Sequence, residues 1–141
     1  MTASANVDLV RSWYAALERD DFAGMVEWVH PEIEFVFADG PEPGVGIGLE
    51  RLAEVWREYL STWEGYRFVV DELRELDDER ILAIFHFSGR GKTSGVDLGQ
   101  LHSHGAAVFH ILDAKVTRMV RYWDRERALA DLGLVPEDGS P

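Results

Sequence analysis

The chain holds few groups that could do chemistry, and the first is a carboxylate. Asp39 closes the aromatic run of "FVFADGPEPGVGIG", residues Phe35 to Gly48, just before a turn rich in proline and glycine. Strand alternation puts Phe35, Phe37 and Asp39 on one face, so the acid points wherever the phenylalanines point. If that is an apolar pocket, desolvation raises the carboxyl pKa toward the range useful to a general base. The same "ADGP" is also ordinary turn chemistry, in which an aspartate accepts hydrogen bonds from its own backbone.

A second group is cationic. In "KVTRMVRYW", Thr117, Met119, Arg121 and Trp123 share a strand face. Turned inward, Arg121 is a buried cation that must face Asp39 or another acid, or await an anionic or enolate-like group on a ligand. Turned the other way, its guanidinium reaches water past Trp123. Phe35, Phe37, Trp13, Trp56, Tyr59, Phe85, Phe87, Phe109, Met119 and Trp123 are candidates for an apolar wall around a flat hydrophobic ligand, or for plain core.

Histidines form the third group. His102 and His104 of "HSH" share a face with His110, and His86 is in phase on the neighbouring strand, a spacing at which imidazoles can ligate zinc. A nearby glutamate to complete a ligand set is missing, so no metal is expected. "GRGKTSG" lacks the lysine-serine ending on a helix that a phosphate loop needs. No cofactor is expected.

The bulk properties narrow the function classes. A chain of 141 residues that is 46% hydrophobic fits one domain, here residues 1–135 with a tail at 136–141. A formal charge of -12 repels phosphate backbones and anionic membrane surfaces, and no basic stripe offsets it, so neither nucleic acid nor membrane is an expected partner. With no cysteine there is neither a disulfide framework nor a thiolate metal site. The opening "MTASANVDLVRSWY" has no basic flank or apolar targeting core, which makes the cytoplasm the expected location.

The elements that must position these groups follow from periodicity. Val7, Val10, Tyr14 and Leu17 recur at helical spacing, with Asn6 as a cap. A short helix from Asp21 buries Phe22, Met25, Val26 and Val29 and stops at His30 and Pro31. "EIEFVFAD" alternates as a strand, and Leu49, Leu52, Trp56, Tyr59, Leu60 and Trp63 mark a third helix ended by Gly65. Strands follow over 66–76, 80–90, 96–112 and 115–123, the last two joined by the tight hairpin "LDAK". Asp124 caps a final short helix that Gly133 ends. Helices first and a meandering sheet afterwards give an α+β fold, not a parallel α/β one.

"RSWYAALERDDFAGMVEWVHPEIEF", "GIGLERLAEVWREYL" and "FHILDAKVTRMVRYWDRERALADLGL", in that order and spacing, resemble the nuclear transport factor 2-like superfamily, in its ketosteroid isomerase and SnoaL-like polyketide cyclase branches. The resemblance implies a curved antiparallel sheet wrapped over three N-terminal helices, a cone with an apolar cavity, and a dimer through the outer sheet face. On that face stand Leu82, Ile84, His86, His102, His104, Val108 and His110. The family register also implies that Arg121 looks into the cavity.

The resemblance also assigns roles. The general base of ketosteroid isomerases ends the first strand, and Asp39, nine residues before Gly48, matches that place. The oxyanion tyrosine falls at Trp13, an indole donor, with Tyr14 displaced by about 100° around the helix. The oxyanion acid, and the histidine frequent in SnoaL-like chains, fall near Ala107, which donates nothing. The limonene epoxide hydrolase pattern needs an inward arginine and aspartate two apart; "ILAIFHFSG" supplies Ile81, Ala83, Phe85 and Phe87 instead. Fold does not settle function. The resemblance therefore implies either an isomerase, cyclase or dehydratase using Asp39, Arg121 and Trp13 on a hydrophobic, for instance polycyclic, substrate, or a non-catalytic pocket protein of the same shape.

Overall fold

The computed structural model describes residues 2–19, 21–38, 44–61, 63–91 and 104–134; Asp39, His102 and the 136–141 tail lie outside them. The chain opens with α1 (Thr2–Arg19) and a single 3-10 turn, Ala23–Glu27. Helix α1 starts before the expected cap: Asn6 lies inside it, buried, and its Nδ2 donates to the Asp78 carbonyl at 2.8 Å. The 3-10 turn replaces the expected second α-helix, with the Asp21 carboxylate accepting from the Gly24 N–H at 3.0 Å. Phe22, Met25 and Val29 are buried as expected, whereas Val26 is 60% exposed.

Strand β1 (Val29–Phe37) follows, and it contains the His30–Pro31 pair that was read as a stop. Its ladder with the final strand breaks between Val29 and Glu34, so Pro31 sits where no ladder bond is missed. Strand β2 (Gly44–Ile47), expected as turn, pairs antiparallel with β1. It can do so because Gly46 stands opposite Phe35 with the phenyl ring lying over its Cα, where any Cβ would collide. Helix α2 (Leu49–Ser61) buries Leu52, Ala53 and Trp56.

Strands β3 (Trp63–Asp77), β4 (Arg80–Gly91), β5 (His104–Leu112) and β6 (Lys115–Tyr122) complete a six-stranded sheet in the order β2-β1-β6-β5-β4-β3. It is mixed, not antiparallel throughout, because β1 pairs parallel with β6. Trp63 and Gly65 belong to β3, and Gly65 marks a bulge there instead of a helix stop: between the pairs Glu64–Arg90 and Arg67–Ser88 the register slips. Gly65 is left-handed, at φ 61°, the conformation that one common bulge type requires of its first residue. Among the described residues no helix is long and apolar enough to cross a membrane.

The curled sheet separates two apolar layers. On the inner side Ile81, Ala83, Phe85 and Phe87 of β4, alternating as expected, join Trp13, Trp56 and Phe109 in the main core. On the outer side α3 (Arg125–Asp131) lays Ala128 and Leu129 over Leu82, Ile84 and Val108. Asp124 caps that helix by accepting from Glu126 N–H at 3.0 Å, and the Tyr122 hydroxyl donates to Asp131 at 3.0 Å. Leu82, Ile84 and Val108 thus need no second copy to cover them. The helices stand at the start, between β2 and β3, and at the end of the chain, and do not all precede the sheet.

The β5–β6 hairpin turns on Asp113 and Ala114, both left-handed at φ 53° and 61°. That is the mirror-image turn that suits strand twist, and alanine is strained in it. Ala114→Gly should therefore stabilise the fold by about 1 kcal/mol, or roughly 2–4 °C in Tm for a chain of this size; a melt showing no gain contradicts the strained turn.

Half-buried His110 on β5 lies between Arg80 on β4 and Arg118 on β6. Burial first, then Arg118 and Arg80, hold its pKa below the usual imidazole value, against the weaker opposing pull of Asp77 and Glu34. The unfolded chain then binds this proton more readily, so His110's contribution to stability is complete above about pH 6.5 and is lost as the pH falls below it. Between pH 7.5 and 5.5, His110→Gln should lose less thermal stability than the wild type; equal losses would contradict it.

Candidate active site

Inside the cone, α1 contributes Trp13, Tyr14 and Leu17, α2 contributes Leu52 and Trp56, and the sheet contributes Phe37, Phe85, Ala107, Met119 and Arg121. They enclose a cavity of ≈ 30 Å³, room for a couple of water molecules. Among the described residues no carboxylate lines it.

Its one cation among the described residues is Arg121, and the register explains how a guanidinium fits there. Arg121 pairs with Ala107 on β5, which in turn pairs with Ala83 on β4, and these small side chains leave the space beside it open. The opposite neighbour is Phe37 of β1. The Arg121 Cζ lies 5.0 Å from the ring centroid of Tyr59, 5.5 Å from Phe85, 5.6 Å from Trp56 and 5.9 Å from Phe87. Such distances allow cation–π attraction of about 0.5 to 2 kcal/mol each. Its Nη2 also donates to the Tyr66 hydroxyl at 2.8 Å.

The electrostatics are those of a cation among phenols. Burial works against the Arg121 charge, but Tyr66, Tyr59 and Tyr14 more than offset it, and the net pKa lies above the ordinary arginine value. Burial pushes the phenols of Tyr14 and Tyr59 up, and the opposing pull of Arg121 does not reverse this. At neutral pH the site therefore offers a permanent positive charge and protonated hydroxyls. It can donate to an oxygen that carries or gains negative charge.

The sequence-derived residues divide into layers. Trp13, Phe37, Trp56, Phe85, Met119 and Arg121 line the cavity. Tyr59 and Phe87 face the guanidinium, and Trp123 packs edge-on against Phe87 at 4.9 Å and against Tyr59 at 6.2 Å. Phe109 lies one layer deeper, edge-on to Trp13 at 5.1 Å and to Tyr14 at 5.7 Å. Phe35 is buried beside β2 and does not line the cavity. Asp39 lies outside the described residues, two positions after Phe37, the partner of Arg121.

Two residues outside the expected set belong here. Tyr14 lines the cavity together with Trp13, because a helix face turned to the core is broader than the 100° between neighbours. Tyr66 reaches Arg121 from the β3 bulge, where two residues occupy one inward position. The glycine before it was the available signal.

Outside the cavity, a recess of ≈ 300 Å³ opens between α1, α2 and β3, lined by Leu17, Glu18, Trp56, Leu60, Tyr66, Arg67 and Val69. A second, of ≈ 450 Å³, continues along α1 and β3 and shares Glu18 and Val69 with it. Leu17 and Trp56 line both the first recess and the cavity, so the two are separated by little more than side chains.

On the outer sheet face, His86 Nδ1 lies 3.0 Å from both oxygens of Asp71, to which Arg125 Nη2 also donates at 3.3 Å. His104 stands across from His86, ring centroids 6.2 Å apart. Among the described residues no group of three histidine or acidic side chains is placed to hold a metal ion.

Comparison with known proteins completes the picture. A candidate polyketide cyclase from Xanthomonas campestris pv. campestris shares the fold with a TM-score of 0.65 at 20% identity, over 92% of this chain and 98% of its own. TerC co-crystallised with polyporic acid superposes with a TM-score of 0.70 at 20% identity, over 91% and 97%. Bal32a, from a soil-derived mobile gene cassette, gives 0.72 at 18% identity, over 86% and 90%. No curated protein matches the sequence. Residues 10–119 match the SnoaL-like domain family, to which, within the NTF2-like superfamily, this chain belongs.

Proposed function

We propose that this protein is a small-molecule enzyme that moves a proton next to a carbonyl group of a hydrophobic substrate, in the manner of an isomerase, cyclase or dehydratase. The observation that carries the reading is Arg121: a guanidinium held inside an aromatic cavity, with phenol hydroxyls beside it. Asp39 is the base. It follows Phe37, the β1 residue that pairs with Arg121, by two positions. Its carboxylate takes the proton from the carbon next to the carbonyl. The electron pair of that bond moves onto the carbonyl oxygen, and the resulting enolate rests against Arg121, with Trp13 on the facing helix as a further donor. Return of the proton to another carbon, or loss of a leaving group, completes an isomerisation or a dehydration.

The neighbours support the substrate class. TerC was co-crystallised with polyporic acid, and the Xanthomonas protein is a candidate polyketide cyclase. A pocket for a drug-sized ligand is about 300 to 1,000 Å³. The cavity of ≈ 30 Å³ is far smaller, so the ligand must also occupy the adjoining recess of ≈ 300 Å³. We place any homodimer contact on the exposed part of the outer face around His86 and His104, because α3 already occupies Leu82, Ile84 and Val108.

One observation favours a second reading, a binding protein without chemistry: among the described residues the cavity wall holds donors but no carboxylate. Asp39→Asn separates the two once a substrate is found by screening polycyclic ketones and polyketide-like compounds. The amide keeps the shape but cannot take the proton. Turnover should fall about 100- to 10,000-fold, or roughly 3 to 5.5 kcal/mol of barrier, with affinity changed much less. A variant that keeps most of its turnover returns Asp39 to the role of a turn former.

A further inference from the structure

Arg121 is a cation with unused capacity. A guanidinium carries five N–H donors in a planar fork suited to two oxygens at once. Tyr66 engages it through one hydroxyl at 2.8 Å. The Tyr59 side chain also hydrogen-bonds with it, and the rings of Tyr59, Phe85, Trp56 and Phe87 attract a cation but do not neutralise it. The nearby phenols Tyr14 and Tyr59 stay protonated. Among the described residues no carboxylate meets it, and an enclosed charge without a counter-charge is costly unless something supplies one.

Tyr66 also lies between the cavity and the recess. Its hydroxyl bonds to the cavity's arginine while its side chain lines the recess of ≈ 300 Å³. It sits on the β3 bulge, where the register between Glu64–Arg90 and Arg67–Ser88 is broken, and the bulge aims its ring between Trp56, Tyr59 and Phe87. A group entering from the recess meets Tyr66 first and Arg121 next.

We infer that the natural ligand is a flat aromatic or conjugated compound carrying an acidic oxygen, a carboxylate or an acidic enol, which enters from the recess and takes the place of the Tyr66 hydroxyl on the Arg121 guanidinium. This rests on the pocket assigned above and adds to it the charge of the ligand and its path. Tyr66 is then a gate and a stand-in: its hydroxyl holds the guanidinium until a better acceptor arrives. A carboxylate can meet the planar fork with two oxygens where the Tyr66 hydroxyl offers one.

The test uses a naphthalene carboxylate and its methyl ester, which match in shape and differ in charge, with binding to the whole protein followed by calorimetry. A hydrogen bond to a charged group contributes about 1.5 to 3 kcal/mol, so the wild type should prefer the acid roughly 10- to 100-fold. Arg121→Met should remove that preference. Because that variant can fail to fold, Tyr66→Phe provides a second arm with the opposite sign. Removing the competing hydroxyl should tighten the acid roughly 2- to 12-fold and leave the ester unchanged. Equal binding of both probes to the wild type overturns the inference but leaves the pocket standing. Weaker binding of the acid to Tyr66→Phe overturns it too, since Tyr66 would then be part of the ligand's wall. Binding of neither probe overturns the inference and the pocket together.

Discussion

The arrangement of this molecule depends on how one guanidinium is kept inside an aromatic cone. Arg121 projects from β6 into a cavity whose wall, among the described residues, is otherwise apolar or phenolic, and every element around it makes that tolerable in a different way. β4 supplies the rings of Phe85 and Phe87, and α2 supplies those of Trp56 and Tyr59. β5 supplies the small side chain of Ala107 beside it. β3 supplies the hydroxyl of Tyr66 by means of a bulge. A hydrophobic residue at position 121 would pack with less difficulty, so its retention in such a setting is better explained by what the cavity receives than by what holds the fold together.

The fold solves a second problem separately. A six-stranded sheet has two faces, and α1 and α2 can cover only one of them. The short α3, capped by Asp124 and tied back by Tyr122 and Asp131, covers the apolar part of the other. What remains open near it is polar, with His86, Asp71 and Arg125 already engaged with one another. The inner cavity and the outer layer are thus independent cores on the two faces of the strands, and a change on one face need not disturb the other.

Much of this was legible in the residues, and the exceptions share a physical cause. Alternation along β4 grouped Phe85 with Phe87 and Leu82 with Ile84, but a strand apolar on both faces does not itself report which group faces inward; that came from family register. The "LDAK" hairpin, the Asp124 cap and the Gly133 stop were local signals, and local signals survive folding. Trp63 was misread because an aromatic residue in phase with Trp56, Tyr59 and Leu60 extends a helical stripe just as well as it opens a strand. β2 was missed because "GVGI" has no strand-like bulk; Gly46 is there to admit the ring of Phe35 from another strand. The parallel pairing of β1 with β6 joins residues more than eighty positions apart, which no periodicity reports. Within the site, the inward direction of Arg121 came from family register, and Tyr66 was overlooked because the bulge that aims it changes strand phase.

The account stands or falls on what meets that guanidinium when the cone is occupied. The most direct measurement is a crystal structure of the protein after incubation with a mixed set of polycyclic ketones and polyketide-like acids. The result expected is density for a flat ligand spanning the cavity and the adjoining recess, with one oxygen about 2.7–2.9 Å from the Arg121 nitrogens and the Tyr66 hydroxyl displaced. An intact bond between Arg121 and Tyr66 with the cavity still closed, or a ligand lying elsewhere with no oxygen near Arg121, would contradict it.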